Sequence, residues 1–300
     1  MFAPPVPQLD CCGRLLALDR PRLMGIVNVT PDSFSDGGEF ADPARAVAHA
    51  LRLVEEGADL IDVGGESTRP GAGDVDSAQE IARVVPVIEA LAARVAVPIS
   101  VDTSKPEVMR AAVAAGAGLI NDVRALRAEG ALEAAADLRV PVCLMHMQGE
   151  PRTMQEAPHY ADVVAEVKHF LADRLLACEF AGIERKRLLV DPGFGFGKTL
   201  EHNLALLRSL REFAALGVPL LAGLSRKGMI GALTGRDEPA RRVHGSVAAA
   251  LLAAQKGAVI LRVHDVAATR DALAVWLAAR PADRPRERAP FGSQRFGDED

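Results

Sequence analysis

No apolar run in this 300-residue chain approaches the roughly 18 residues needed to cross a bilayer as a helix, which excludes a helical membrane protein. Residues Met1 to Asp10 lack a basic segment followed by an apolar stretch, so neither export nor anchoring is expected. Cysteine is scarce. Cys11, Cys12, Cys143 and Cys178 form no C-x-x-C pair and have no histidine at zinc-ligand spacing, so reduced thiols in a cytoplasm are expected rather than disulfides or structural zinc. Positive charge is not in excess either: 35 Lys and Arg against 40 Asp and Glu leave a net charge of -5. That balance argues against a nucleic-acid surface while leaving room for a local basic patch that holds a small anion. Small-molecule substrates are expected, with neither nucleic acid nor membrane as partner.

What is present suits a large core: 49% of residues are hydrophobic and 25% charged. Short apolar runs recur at Leu23 to Val29, Leu60 to Val63, Val97 to Val101, Leu119 to Ile120, Val140 to Met145, Leu188 to Val190, Val218 to Ala222 and Val259 to Val263. Runs without polar alternation are what strands look like when both faces are covered, as in a parallel sheet flanked by helices. Between them lie segments of helical spacing, among them Pro43 to Gly57, Ala78 to Arg94, Pro106 to Gly116, Tyr160 to Gly182, His202 to Gly217 and Arg241 to Gly257, several closing on glycine. Eight strand and helix units favour a single α/β domain, a (β/α)8 TIM barrel over residues 23–279. An open doubly wound sheet is the competing arrangement, because periodicity does not report whether the last strand meets the first. Residues 1–22 are left as an N-terminal extension, and the aperiodic stretch 280–300, rich in Pro, Arg, Asp and Gly, is expected to be a disordered tail.

Each run leads into polar or glycine-rich residues at its C-terminal end. Asn28, Thr30 and Asp32 follow the first, and Gly64 to Arg69 the second; then come Asp102-Thr103-Ser104, Asn121-Asp122, His146-Met147-Gln148 and Asp191, with Ser225-Arg226-Lys227 after the seventh and Arg262 and His264 in and beside the eighth. In a barrel these ends share one rim, where such folds build their sites. Taken singly, Asp102, Thr103, Ser104 or Asp191 reads equally well as a helix cap. Caps do not require arginines, a lysine, a histidine and several carboxylates to converge from different strands. The stretch Gly193 to Thr199 suggests a phosphate loop, but the Walker pattern needs glycine where Pro192 stands, and Lys198 occupies the third glycine of a dinucleotide fingerprint. An aromatic-lined rim loop that covers a flat ligand is the better reading. Residues 30–41 and 64–76, rich in Gly, Ser, Asp and Pro, are candidates for lids.

Two long segments, Gly25-Ile26-Val27-Asn28-Val29-Thr30-Pro31-Asp32-Ser33-Phe34-Ser35-Asp36-Gly37-Gly38 and Gly64-Gly65-Glu66-Ser67-Thr68-Arg69-Pro70-Gly71, resemble the two signatures of the dihydropteroate synthases. Further matches are Ser100 to Thr103, Asn121 to Val123, Leu144 to Gly149, Asp191 to Lys198, Ser225 to Lys227 and Arg262 to Asp265, so the likeness runs from about Leu23 to about Ala279. The resemblance implies a homodimeric transferase of folate biosynthesis that joins 6-hydroxymethyl-7,8-dihydropterin pyrophosphate to p-aminobenzoate with Mg2+. By resemblance, Asp102, Asn121, Asp191, Lys227, Met145 and Gly195 would hold the pterin. Asn28, Arg69, Arg262 and His264 would hold pyrophosphate, with Asn28 also on the metal, and Thr68, Pro70, Phe34, Phe196, Ser225 and Gly228 would meet p-aminobenzoate. Asp102, Lys227, Arg262, His264 and Arg69 are the implied catalytic set. One departure is Gly228, where many relatives place serine. A methyltetrahydrofolate methyltransferase and a non-catalytic pterin-binding paralogue remain as rival readings; the first would need no pyrophosphate site.

Overall fold

The computed structural model describes residues 7–30, 42–67, 75–150 and 153–279. The expected contacts Phe34, Thr68, Arg69 and Pro70, and the expected tail 280–300, lie outside the described residues. The chain opens with an antiparallel hairpin, β1 (Gln8–Cys11) and β2 (Arg14–Ala17). Eight parallel strands follow, each on one of the predicted runs: β3 (Arg22–Asn28), β4 (Leu60–Gly64), β5 (Ile99–Asp102), β6 (Leu119–Asp122), β7 (Val142–Met145), β8 (Leu188–Asp191), β9 (Leu221–Ala222) and β10 (Ile260–Val263). Their order is β8-β7-β6-β5-β4-β3-β10-β9, and a parallel bridge between Val190 and Leu220 brings the two ends of that order together. The sheet is therefore a (β/α)8 barrel, and the open doubly wound arrangement is excluded.

Helices α1 (Pro43–Glu55), α2 (Ser77–Ala92), α3 (Pro106–Ala114), α4 (Ala131–Leu138), α5 (Val163–Phe180), α6 (Leu200–Arg208), α7 (Gly228–Thr234), α8 (Val243–Gln255) and α9 (Val266–Ala278) lie between and after the strands. Short polar side chains fix where several begin. The Asp42 carboxylate accepts from the amides of Ala44 and Arg45 at the start of α1, and Asp162 does the same for Val164 and Ala165 of α5. Thr199 and His202 form a capping box on α6. The predicted helix His202 to Gly217 is two pieces: α6 ends at Arg208, and 3-10 turns from Leu210 to Leu216 carry the chain on, with the Glu212 amide bonded to the Ser209 carbonyl at 2.9 Å.

Both faces of the sheet are covered, which is why its strands read as continuous apolar runs. Ile61, Val63, Val101, Ile120, Leu144 and Val190 pack outward in one core with Leu53 of α1 and Ile88 and Leu91 of α2. The inward face carries a second, smaller core: Met24, Leu60, Leu119, Cys143, Leu189, Leu221 and Ile260 meet Leu9, Cys11, Leu16 and Leu18. The N-terminal extension thus contains a hairpin that plugs the barrel floor. Its fit is close at one point, where a Cβ on Gly118 would stand 2.4 Å from the Cys11 carbonyl oxygen. Gly118→Ala should therefore lower unfolding free energy by about 1–3 kcal/mol in urea titration, since the overlap is with backbone that must shift. An unchanged midpoint would mean that the hairpin does not bear on β6. All four cysteines are free thiols, and no helix among the described residues is long and apolar enough to cross a membrane.

Candidate active site

Side chains on a strand alternate faces, so each inward residue of the apolar floor sets what lies two and four positions further along. Two steps beyond Leu60, Leu119, Cys143, Leu189 and Ile260 come Asp62, Asn121, Met145, Asp191 and Arg262; on β5 the same period joins Ser100 to Asp102. A further step reaches Asn28 on β3 from Ile26, and His264 beyond β10 from Arg262. The floor is apolar and the next layer is charged. Strand twofold periodicity, applied to a closed sheet, puts residues 200 positions apart in one layer.

Arg262 is the centre of that layer. Its Nε donates to Asp62 Oδ2 at 2.6 Å and its Nη2 to Asp102 Oδ2 at 2.7 Å. Asn121 Nδ2 donates to the same Asp62 oxygen at 3.0 Å. Asp62 is fully buried, and its Oδ1, like the Ser100 hydroxyl beside it, has no hydrogen-bond partner among the described residues. Burial pushes the Asp102 carboxyl up while Arg262 pulls it down, with Asp62, Glu80 and Asp122 adding to the upward push. Asp191 is also raised by burial, against the Gly193 amide, which donates to its Oδ1 at 2.7 Å, and against Lys227. Lys227 is pushed down to about 8 by burial and by Arg262, with Asp191 and Asp102 opposing. The charged layer and Lys227 beside it therefore bring together carboxylates, a carboxamide and two cations, with Asp102, Asp191, Lys227 and Arg262 shifted by burial and by neighbouring charges, which marks a site rather than a packing core.

The walls are apolar on one side. Met145, Met147, Met154, Val123 and Phe196 form a separate buried cluster, and the Lys227 ammonium sits 4.0 Å from the centroid of the Phe196 ring. Gly195 backs this contact: a Cβ there would stand 3.2 Å from Lys227 Cδ, its amide donates to Asn203 Oδ1 at 2.7 Å, and its carbonyl accepts from Gln155. Lys227 immediately precedes α7, and Gly228 is its first residue, exposed, with open space where a side chain would go. The Ser225 hydroxyl faces His264, 3.1 Å from its amide and 3.0 Å from its Nδ1. Arg226, at φ 58°, pairs with both oxygens of Asp265, tying the loop after β9 to the loop after β10 and so Lys227 to Arg262.

Not every polar rim residue enters the mouth. Ser104 bonds to Asp122, and Asp122 accepts from the amides of Arg124 and Leu126, so this pair caps a turn. Gln148 pairs with the backbone of His159 at 2.8 and 3.0 Å, and His146 is taken up by Lys198. Asp62 was missed in the sequence reading. Its signal was present: a carboxylate within Leu-Ile-Asp-Val, an otherwise apolar strand buried on both faces.

The profile of the pterin-binding enzyme family matches residues 24–264. The chain is 56% identical over 263 residues to the dihydropteroate synthase of Escherichia coli K12, covering 88% of this chain and 93% of that one. The chain belongs to the dihydropteroate synthase family. Dihydropteroate synthase of Xanthomonas albilineans, solved with 4-aminobenzoic acid, superposes with a TM-score of 0.88 at 66% identity, covering 92% of this chain and 100% of that one. The same synthase solved with 7,8-dihydropteroate gives a TM-score of 0.85 at 64% identity over 92% of this chain and 100% of that one. A dihydropteroate synthase is a transferase of folate biosynthesis, and Asn28 and Gly64, which begin the polar parts of the two signatures, end β3 and β4.

Proposed function

We propose that this mouth binds 6-hydroxymethyl-7,8-dihydropterin pyrophosphate and joins it to p-aminobenzoate. The amine nitrogen bonds to the exocyclic CH2, the bond from that carbon to the pyrophosphate oxygen breaks, and the amine gives up one proton. Asp102, Asn121 and Asp191 read the pterin edge, whose ring nitrogens and amino group donate and whose carbonyl accepts. Lys227 donates to the carbonyl side, Met145 supplies apolar surface, and Gly195 lets the loop run close. In the free protein Arg262 Nη2 occupies Asp102, so a pterin that takes this carboxylate frees one guanidinium arm for the departing pyrophosphate. Asn28, His264 and, from outside the described residues, Arg69 complete the anion site. Phe196, Ser225 and the Gly228 amide, with Phe34, Thr68 and Pro70 from outside those residues, line the aminobenzoate pocket.

The reaction runs by departure of the leaving group first. The charged layer suits this route, because it sets a carboxylate against a developing pterin cation and cations against a departing anion. Mg2+ fits the donor set as an ion carried by the substrate: Asn28 offers one carboxamide oxygen, while no group of three or more His, Cys, Asp or Glu among the described residues forms a protein cage. When bound it neutralises charge on the pyrophosphate oxygens. The protein works in the cytoplasm as a homodimer; its free thiols are compatible with the former.

The observation that carries this reading is the meeting of Asp102, Asn121, Asp191 and Arg262 in one inward layer with Lys227 beside it. Its test is incubation of the purified protein with the pterin pyrophosphate, Mg2+ and labelled p-aminobenzoate. Labelled dihydropteroate is expected; tight pterin binding without product would support a non-catalytic paralogue, and methyl transfer from methyltetrahydrofolate a methyltransferase. Gly228→Ser adds a hydroxyl where space is open, and should lower KM for p-aminobenzoate by about 3- to 10-fold at unchanged pterin affinity, the range of one ordinary hydrogen bond at a solvent-exposed position. An unchanged KM would take the carboxylate away from the start of α7.

A further inference from the structure

Lys198 and His146 are both buried, and neither has a part in the reaction described above. The Lys198 ammonium lies inside a ring of acceptors: Gly193 O at 2.9 Å, Phe196 O at 2.9 Å and His146 Nδ1 at 2.9 Å, with His146 O further off at 3.4 Å. An ammonium has three hydrogens, and three close acceptors use them all. Nδ1 of His146 can accept only if the imidazole is neutral. Burial and the adjacent Lys198 push that ring down to about 2, and Phe170 and Tyr160 pack against it. The loop closes tightly around this cation because Gly193 and Gly197 are in the left-handed region, at φ 71° and 61°. A Cβ on either would stand 1.9 Å from His146 O or 2.3 Å from Gln148 O.

Lys198 reaches both the base of the loop, through Gly193 O, and its tip, through Phe196 O, and the base has further anchors of its own. The base is held by the Gly193 amide on Asp191. Asn203 and Gln155 hold Gly195, and the Tyr160 hydroxyl holds Gly197. The Phe196 carbonyl accepts from Lys198, and its ring lies over Lys227. Loss of Lys198 therefore loosens Phe196, while the Gly193 amide still holds Asp191 in the charged layer.

We propose that Lys198, with His146 as its acceptor, is a positioning residue that holds Phe196 over Lys227 and so presets the pocket for p-aminobenzoate. This rests on the assignment of Phe196 to the aminobenzoate wall and of Lys227 to the pterin. The experiment measures kcat, KM for p-aminobenzoate, pterin affinity by calorimetry and the thermal midpoint for Lys198→Met, His146→Leu and His146→Asn. Lys198→Met keeps the chain length and removes every donor. Asparagine at 146 keeps an acceptor near the Nδ1 position, and leucine does not. Lys198→Met and His146→Leu are expected to raise KM for p-aminobenzoate on the order of 10-fold, with pterin affinity within about 2-fold, because a misplaced wall weakens only what it touches. His146→Asn is expected to stay near the parent.

Equal losses in pterin affinity and KM, an unchanged KM in folded Lys198→Met, or an asparagine variant no better than the leucine one would each overturn the proposal. If Lys198→Met does not fold, the two His146 variants decide between the same outcomes. A Lys227→Ala control separates the levels. Unchanged pterin affinity there would bring down the site assignment itself, whereas a loss there with no effect of Lys198→Met would bring down only the positioning role.

Discussion

Lys227→Ala is expected to lower kcat/KM for the pterin substrate on the order of 100-fold, because one charge-assisted hydrogen bond in a desolvated site is worth up to about 3 kcal/mol. The fold should not suffer. Burial already pushes this ammonium down to about 8, so the folded state holds it at a cost that alanine removes. The same shift predicts two opposite pH trends. The free enzyme uses the protonated amine as donor, so kcat/KM for the pterin should fall as pH rises through about 8. Between that value and the ordinary 10.5 the unfolded chain binds more protons than the folded one, so this group's contribution to stability rises with pH. Lys227→Met should lose the alkaline limb in kcat/KM. A limb that persists unchanged in the methionine variant would assign it to another group.

Arg262→Met should damage stability and turnover together. It removes the cation shared by Asp62 and Asp102 and leaves Asp62 fully buried, with Asn121 as its one remaining donor among the described residues. Breaking a buried ion pair from one side typically costs about 3–5 kcal/mol, and turnover should drop more than 100-fold because the pyrophosphate loses a cation and Asp102 its counter-charge. Adding Asp62→Asn to that variant separates the two effects. The double variant should recover most of the stability, since the uncompensated carboxylate is gone, and none of the turnover. Full stability in Arg262→Met alone would show that Asp62 and Asp102 do not depend on it.

The barrel was legible because parallel strands buried on both faces leave continuous apolar runs, and all eight runs became strands. Closure was not, since the contact that joins the two ends of the sheet, Val190 with Leu220, has no local signature. The hairpin under the barrel went unread although its burial alternates, Leu9 and Cys11 in with Gln8 and Asp10 out. Four residues a strand are too few for that period to stand clear of its surroundings. At the site, the residues at strand ends were readable and their pairings were not. Arg262 lies between Asp62 and Asp102, and its contact with Asp62 spans 200 residues of sequence. His146 follows Met145, so the twofold period that turns Cys143 and Met145 inward turns His146 away from the mouth with Leu144, and there it meets Lys198 in the loop from Gly193 to Gly197.

The most direct measurement is a crystal structure of the protein with dihydropterin pyrophosphate. The pterin edge should lie within hydrogen-bond distance of Asp102, Asn121 and Asp191, with Lys227 at the carbonyl and the pyrophosphate against Arg262, Asn28 and His264. A pterin bound at any other place on the barrel, or one that leaves Asp191 and Lys227 untouched, would contradict the charged inward layer as the site of chemistry.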